Sequence, residues 1–234
     1  MSITIKHLSY SYPKTRTTVL EDISLDLDTD KINVILGLNG AGKTTLFDLI
    51  SGVIPRPKEI QGIKTTDSIL YQVQGVPLLS SLKGKDIARL ILKSDYKYQG
   101  KTLTYKSLVN NDSNENEIKK AKRVWNMMFG KMSPGERRWL MISSYCRIDR
   151  SIYIFDEPTS GVDPNSKVSI LNQIKSLSSK IVILSTHILH DLKQLGGNIF
   201  VLHEGKIVFK GDYEEFLNIG DSENPDISFQ CLTN

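Results

Sequence analysis

The 234-residue chain is short of several things, and each shortage narrows its class. It has two cysteines, Cys146 and Cys231, far apart and without metal-site spacing. That argues against a disulfide-stapled secreted scaffold and against a structural zinc site, and makes a reduced cytosolic protein the default. Long apolar runs are missing too. Ile181-Val182-Ile183-Leu184 is among the longest, whereas a membrane-crossing helix takes about 20 apolar residues. The first residues, Met1-Ser2-Ile3-Thr4-Ile5-Lys6-His7, alternate like a strand and have no signal-peptide core, so the chain by itself is expected to be soluble. No charge of one sign dominates: 30 Lys and Arg stand against 26 Asp and Glu, spread along the chain, a balance that neither demands nor excludes nucleic acid. Internal repeats and low-complexity segments are absent. What remains is a length that buries a sizeable core as one large domain, or as a core with a subdomain.

Against that background one stretch stands out. Gly37-Leu38-Asn39-Gly40-Ala41-Gly42-Lys43-Thr44-Thr45 follows the apolar run Ile32-Asn33-Val34-Ile35-Leu36 and precedes an amphipathic pattern, Leu46, Phe47, Leu49 and Ile50. Strand, glycine loop and helix in that order make a phosphate-binding loop. The glycines let the backbone curl with positive φ, so that successive N–H groups form a nest for phosphate oxygens, backed by the helix N-terminus. Lys43 would reach the β- and γ-phosphates, and Thr44 would offer a hard oxygen to Mg2+. The plainer alternative is a glycine-rich turn that only joins a strand to a helix.

A second chemistry-bearing stretch is Ser151-Ile152-Tyr153-Ile154-Phe155 running into Asp156-Glu157-Pro158. A buried parallel strand ending in two acids puts carboxylates at the sheet edge where open α/β folds bind ligands. Asp156 would hold the magnesium, directly or through water, and Glu157 would orient or deprotonate an attacking water. A solvated acidic turn is the alternative. Ile181-Val182-Ile183-Leu184 likewise ends at Ser185-Thr186-His187; taken alone, His187 reads as a satisfied loop histidine, with a γ-phosphate donor as the alternative. Tyr12, preferred to Tyr10, could stack on an adenine ring or cover a sheet edge. Ser133-Pro134-Gly135-Glu136 begins a helix: Ser133 suits the N-cap, Pro134 the first turn, and Glu136 closes a capping box. The same helix start could hold an anion.

Around these motifs, residues 2–8 and 23–27 alternate as half-buried antiparallel strands, and 68–71 reads as another strand. Residues 85–94 and about 115–129 read as helices, with an exposed polar loop over 110–114. The region of about 76–147 lacks strand patterns and is expected to be a helical subdomain inserted into an α/β core formed by 1–75 and 148–220. Residues 165–177 read as a helix, 198–202 and 206–209 as a hairpin, 212–218 as a last helix, and 221–234 as a polar, poorly ordered tail.

From about Ile3 to Leu217 the order of these pieces resembles the ATP-binding subunit of an ABC transporter. The resemblance implies a P-loop NTPase core with a mostly parallel sheet, an N-terminal antiparallel β-subdomain and an α-helical insertion. By position it makes Tyr12 the adenine-stacking aromatic, Gly37 through Thr45 the Walker A loop and Asp156 the Walker B aspartate. Glu157 becomes the catalytic glutamate, the stretch from Gly161 to Asp163 part of the D-loop, and His187 the switch histidine, with Lys43 also in the catalytic set. Gln74, rather than Gln72, fits the Q-loop, which would add it to Thr44 and Asp156 around Mg2+. Ser133 and Gly135 fall in the signature motif, where Pro134 and Glu136 depart from the usual Ser-Gly-Gly-Gln. Pro134 lacks a backbone donor, and Glu136 puts a carboxylate where the family has an amide.

The resemblance further implies that two ATP molecules close a head-to-tail dimer, either of this chain with itself or with a homologous ATPase subunit. The pair would drive a membrane-embedded transporter subunit from the cytoplasmic face, with no nucleic acid involved. A cassette without a C-terminal regulatory domain points, by family analogy, toward export. Two other readings compete: a soluble ABC-type ATPase acting on nucleic acid or ribosomes, and a poorly hydrolysing regulatory subunit. The first would call for coiled-coil heptads, zinc cysteines or two cassettes in one chain, none of which is visible; the second is opposed by the presence of Lys43, Asp156, Glu157 and His187 together.

Overall fold

The computed structural model describes residues 2–15, 17–29, 31–75, 78–110 and 113–233. The chain divides into two units, one made of Met1–Val73, Arg150–Glu157 and Ser178–Asn234, the other of Gln74–Asp149 and Pro158–Leu177. Its strands are β1 (Ser2–Ser11), β2 (Thr18–Asp28), β3 (Asn33–Leu36), β4 (Ile60–Gln61), β5 (Ile69–Gln72), β6 (Ile152–Phe155), β7 (Ile181–Thr186), β8 (Asn198–His203) and β9 (Lys206–Gly211). Its helices are α1 (Lys43–Ser51), α2 (Gly84–Leu92), α3 (Glu115–Asn126), α4 (Pro134–Tyr145), α5 (Pro164–Lys175), α6 (Asp191–Leu195), α7 (Tyr213–Ile219) and α8 (Pro225–Thr233).

The first unit holds all the named strands. β2-β1-β4 form an antiparallel sheet, and β5-β6-β7-β3-β8-β9 form a sheet that is parallel except for the β8–β9 hairpin. In β1 the alternation that buries Ile3 and Ile5 breaks at His7, which has φ 51°; the register shifts there and Leu8 is the next residue buried. That is a bulge, an extra residue that re-aims the strand. β3, β6 and β7 are buried along their whole length, which is why their sequences are continuous apolar runs and not alternating ones. The one polar residue in β3, Asn33, donates from Nδ2 to the carbonyls of Asp28, Lys31 and Val182 at 3.1, 3.3 and 3.2 Å. Ile3, Ile5, Leu25 and Leu27 of the antiparallel sheet share one apolar core with Leu46, Phe47 and Ile50 of α1 and with Ile35, Ile154 and Ile183 of the larger sheet. Each fully buried side chain of this kind contributes about 1.5–3 kcal/mol. The core therefore fixes the end of β3, and with it the loop that follows.

The polar segment after Gly220 is not the unstructured tail that its composition suggests. Asn224 Oδ1 accepts the Asp226 N–H at 3.0 Å at the start of α8, Pro225 opens the helix, and Phe229 and Ser228 are buried. The hydroxyl of Ser228 donates to the Leu217 carbonyl at 3.1 Å, tying α8 to α7. A single aromatic anchor and a cap are enough to order a short helix that is otherwise polar.

The second unit contains α2 to α5 and, among its described residues, one isolated bridge between Lys83 and Met128 in place of any strand. It takes in α5, which the sequence had placed with the core. The expected loop residues Asn111 and Asp112 lie outside the described residues; beyond them Asn114 caps α3 by accepting the Glu117 N–H at 3.0 Å. Ile87, Ala121, Val124, Trp139, Leu140, Ile170 and Ile174 are fully buried, and the Trp139 indole donates to Ser169 Oγ at 3.0 Å, linking α4 to α5.

Candidate functional site

The glycine loop leaves β3 and turns into α1 through Gly42, whose φ of 108° belongs to the left-handed region. A Cβ there would also stand 2.8 Å from the Leu20 side chain and 3.1 Å from the Val19 carbonyl, so the position takes only glycine. Lys43, the first residue of α1, folds back over the loop. Its ammonium donates to the Gly37 and Leu38 carbonyls at 2.8 and 3.0 Å and lies 3.6 Å from Glu157 Oε1. Burial pulls its pKa down, while Glu157 and Asp156 oppose that shift and favour the charged form. A buried ammonium with two carboxylates beside it is poised for anionic oxygens.

β6 delivers Asp156 and Glu157 to the same place. Asp156 N–H extends the β5–β6 pairing by donating to the Gln72 carbonyl at 3.0 Å. Thr44 Oγ1 donates to Asp156 Oδ2 at 2.9 Å, and Ser185 Oγ donates to Asp156 Oδ1 at 2.5 Å. The same Ser185 oxygen accepts the Glu157 N–H at 2.9 Å. Glu157 has φ 49°, a left-handed conformation that costs a non-glycine residue about 1–2 kcal/mol. It is held there by that hydrogen bond and by the His187 ring, whose Nδ1–H donates to Glu157 Oε1 at 2.8 Å. Asp156 and Glu157 are 2% and 6% exposed, so both carboxylates act on Lys43 with little screening by solvent. Tyr12, just past β1, is partly exposed; its hydroxyl lies 3.0 Å from Thr45 Oγ1 and its ring meets Tyr10 edge-on at 5.3 Å. The first unit thus brings together Tyr12, the loop from Gly37 to Thr45, Asp156, Glu157 and His187. Ser185, which links the two acids, was missed from sequence. The linear chain offers only a slight signal, a hydroxyl following an apolar run and preceding Thr186 and His187.

The other site residues fall in the second unit. Gln74 is exposed in its first turn, whereas Gln72, at the end of β5, is buried and donates its amide to the Val73 carbonyl at 2.6 Å. Ser133 is the N-cap of α4: its Oγ accepts the Glu136 N–H at 3.2 Å, and Glu136 Oε2 accepts the Ser133 N–H at 2.8 Å, a complete capping box with Pro134 in the first turn. At Gly135 a Cβ would stand 2.6 Å from Asp163 Oδ2 and 2.9 Å from Ser166 Oγ, so a larger residue would push apart the starts of α4 and α5. Asp163 caps α5, accepting the Ser166 N–H at 3.0 Å, and the hydrogen bonds from Ser166 hold its carboxyl below the usual range. Lys119, Lys120, Arg123, Ser133, Glu136 and Asp163 line a shallow cleft of about 580 Å³. Burial lowers the Lys120 pKa, against the pull of Asp163 and Glu136.

A glycine loop between a buried strand and a helix, two carboxylates at the next strand end and a mostly parallel sheet define a P-loop NTPase core. Residues 20–160 match the ABC transporter family. An ABC transporter ATP-binding protein of Methanocaldococcus jannaschii is 30% identical over 242 residues, covering 94% of this chain and 83% of that one. An energy-coupling factor transporter ATP-binding protein of Caldanaerobacter subterraneus is 28% identical over 241 residues, covering 92% and 80%. Among solved structures, the ATP-binding subunit of an ABC transporter superposes with a TM-score of 0.79 at 24% identity over the whole of both chains. The chain belongs to the ABC transporter family. Within it, this is an ATP-binding and ATP-hydrolysing subunit.

Proposed function

We propose that this subunit powers a transporter by binding ATP at the loop from Gly37 to Thr45 and hydrolysing it with Glu157. The observation that carries the reading is the hydrogen-bonded chain Thr44–Asp156–Ser185–Glu157–His187 beside the buried Lys43 ammonium. Lys43 exchanges the Gly37 and Leu38 carbonyls for phosphate oxygens, which repay it with full negative charge. Glu157, fixed by Ser185 and His187, orients a water and takes its proton. His187 holds the Glu157 carboxylate through Nδ1 and presents its other ring edge to the γ-phosphate. Tyr12, tethered through its hydroxyl to Thr45, offers its ring to the adenine.

Thr44 and Asp156 fit a magnesium ion, because a hydroxyl and a carboxylate, both hard oxygens, meet at 2.9 Å beside the loop. When bound, the ion supplies charge neutralisation at the phosphates. Gln74 is assigned to the same shell by family position.

The second unit supplies the complementary surface. Ser133 and the N–H of Gly135 meet the γ-phosphate of an ATP held by a second chain, with Asp163 near by, so that two ATPs close a head-to-tail dimer of this chain or of this chain with a homologous ATPase. Hydrolysis removes the contacts that favour closure and reopens it. A separate, membrane-embedded subunit forms the passage, and this chain sits on its cytoplasmic face; among the described residues no helix is long and apolar enough to cross a membrane. The relatives named above are ATP-binding subunits of transporters, which supports the transporter reading over the one on nucleic acid or ribosomes.

The test is purification of tagged Glu157→Gln protein from gently solubilised membranes of its own host with ATP and magnesium present. A polytopic membrane protein in stoichiometric amount is expected. Recovery of only soluble protein, nucleic acid or ribosomes would contradict the transporter reading.

A further inference from the structure

The departure of Glu136 from the family's amide raises an electrostatic problem, and the structure contains an answer to it. Glu136 is a buried carboxylate at the N-terminus of α4, where the proposed γ-phosphate of another chain must approach. One oxygen, Oε2, is committed to the Ser133 N–H. The other, Oε1, lies 2.5 Å from the Arg123 guanidinium, which reaches across from the last turn of α3. The Arg123 side chain is itself 60% exposed, so it is anchored at its tip and otherwise open to the cleft. Lys119 and Lys120 stand on the same helix and line the same cleft, where three cationic side chains face the two carboxylates of Glu136 and Asp163.

We propose that Arg123 is a positioning residue for ATP-driven closure: it neutralises Glu136 so that the Ser133–Gly135 helix start can accept a nucleotide anion despite a carboxylate where the family has an amide. The inference rests on the reading of Ser133 and Gly135 as the surface that closes over ATP. With the pair intact, the cleft keeps a net positive edge and the capping box keeps its geometry. Without Arg123, the Glu136 charge is exposed to the incoming phosphate at short range and repels it. Arginine suits the role because its charge is permanent and its planar fork reaches one carboxylate oxygen without disturbing the other. The effect is electrostatic, so it fades as added salt screens the charges.

The experiment uses the full chain with Glu157→Gln to prevent turnover, and reads dimer formation against ATP concentration by analytical ultracentrifugation in the presence of magnesium. Adding Arg123→Ala is expected to raise the ATP concentration needed for half-maximal dimer by about tenfold at low salt, with the gap narrowing as salt rises. Arg123→Lys is expected to keep most of the wild-type response. The deciding variant is Arg123→Ala with Glu136→Gln: the amide retains the cap but carries no charge, and dimerisation is expected to return to within about twofold of the parent. An Arg123→Ala protein that dimerises like its parent would overturn the proposal, and so would a defect that Glu136→Gln fails to rescue, which would mark Arg123 as a structural or direct phosphate contact. Melting curves on each variant separate a folding defect from a binding one. A Glu157→Gln parent that binds ATP but stays monomeric removes the closure reading itself, and this inference with it.

Discussion

The two helix starts proposed to meet phosphate, at α1 and α4, are built differently. At α1 the loop is anchored by buried residues beneath an exposed tip: Gly42 admits no side chain, Lys43 is 6% exposed and already satisfied by its own loop carbonyls, and Leu38, Asn39 and Gly40 are exposed. At α4 the surroundings are open, the donors are a serine and a glycine, and the nearest cation is a half-exposed arginine engaged with a glutamate. The first is proposed to bind nucleotide within one unit, with its lysine already held over the loop by the Gly37 and Leu38 carbonyls. The second is lined by the part-buried Lys120 and by Arg123 paired with Glu136, and its anion attraction is partly offset by Glu136 and Asp163; on the proposed reading it closes on an anion presented by a partner. The contrast suits a device in which ATP binds to one surface tightly and to the other reversibly.

Substitution at the α1 site should have the largest effect. Lys43→Ala removes a buried, charge-assisted donor and leaves Glu157 and Asp156 facing phosphate without it, so ATP affinity or turnover should fall on the order of 100-fold. Equilibrium binding of a fluorescent ATP analogue and steady-state hydrolysis check this, and unchanged values for both would mean that the loop was misread. At the open site the effect should be smaller. Ser133→Ala removes the oxygen that accepts the Glu136 N–H; the cost is about 1 kcal/mol of stability, with ATP binding to an isolated chain untouched and only closure weakened. Thermal unfolding and ATP titration of the monomer measure the two parts separately. Equal loss of ATP affinity in both variants would erase the distinction between the sites.

The α1 site was legible in sequence because each of its main pieces is a local pattern. The strand, the loop from Gly37 to Thr45 and α1 follow each other directly, and Asp156 and Glu157 end an unbroken apolar run. The capping box at Ser133 and Glu136 was legible for the same reason. What escaped was whatever depends on distant partners. Ser185 bridges Asp156 and Glu157 only because β6 and β7 lie side by side. Arg123 meets Glu136 from another helix, and neither residue reveals the pair in the linear chain. α8 was lost for want of a periodic apolar face: one buried Phe229 and a Ser228 hydroxyl bonded to α7 order it, and composition shows neither. The β1 bulge at His7 is equally hidden, since a positive φ at a histidine follows from the strand's need to bury Leu8.

The central claim is that Glu157, held in a left-handed conformation by Ser185 and His187, acts on the attacking water and not on ATP binding. Its most direct test is a side-by-side measurement of ATP affinity and single-turnover hydrolysis for the wild-type chain and Glu157→Gln, with magnesium present. The account predicts an affinity within a few-fold of wild type and hydrolysis slower by about 10²- to 10⁴-fold. Hydrolysis at the wild-type rate with affinity intact would remove Glu157 from the chemistry and contradict the account.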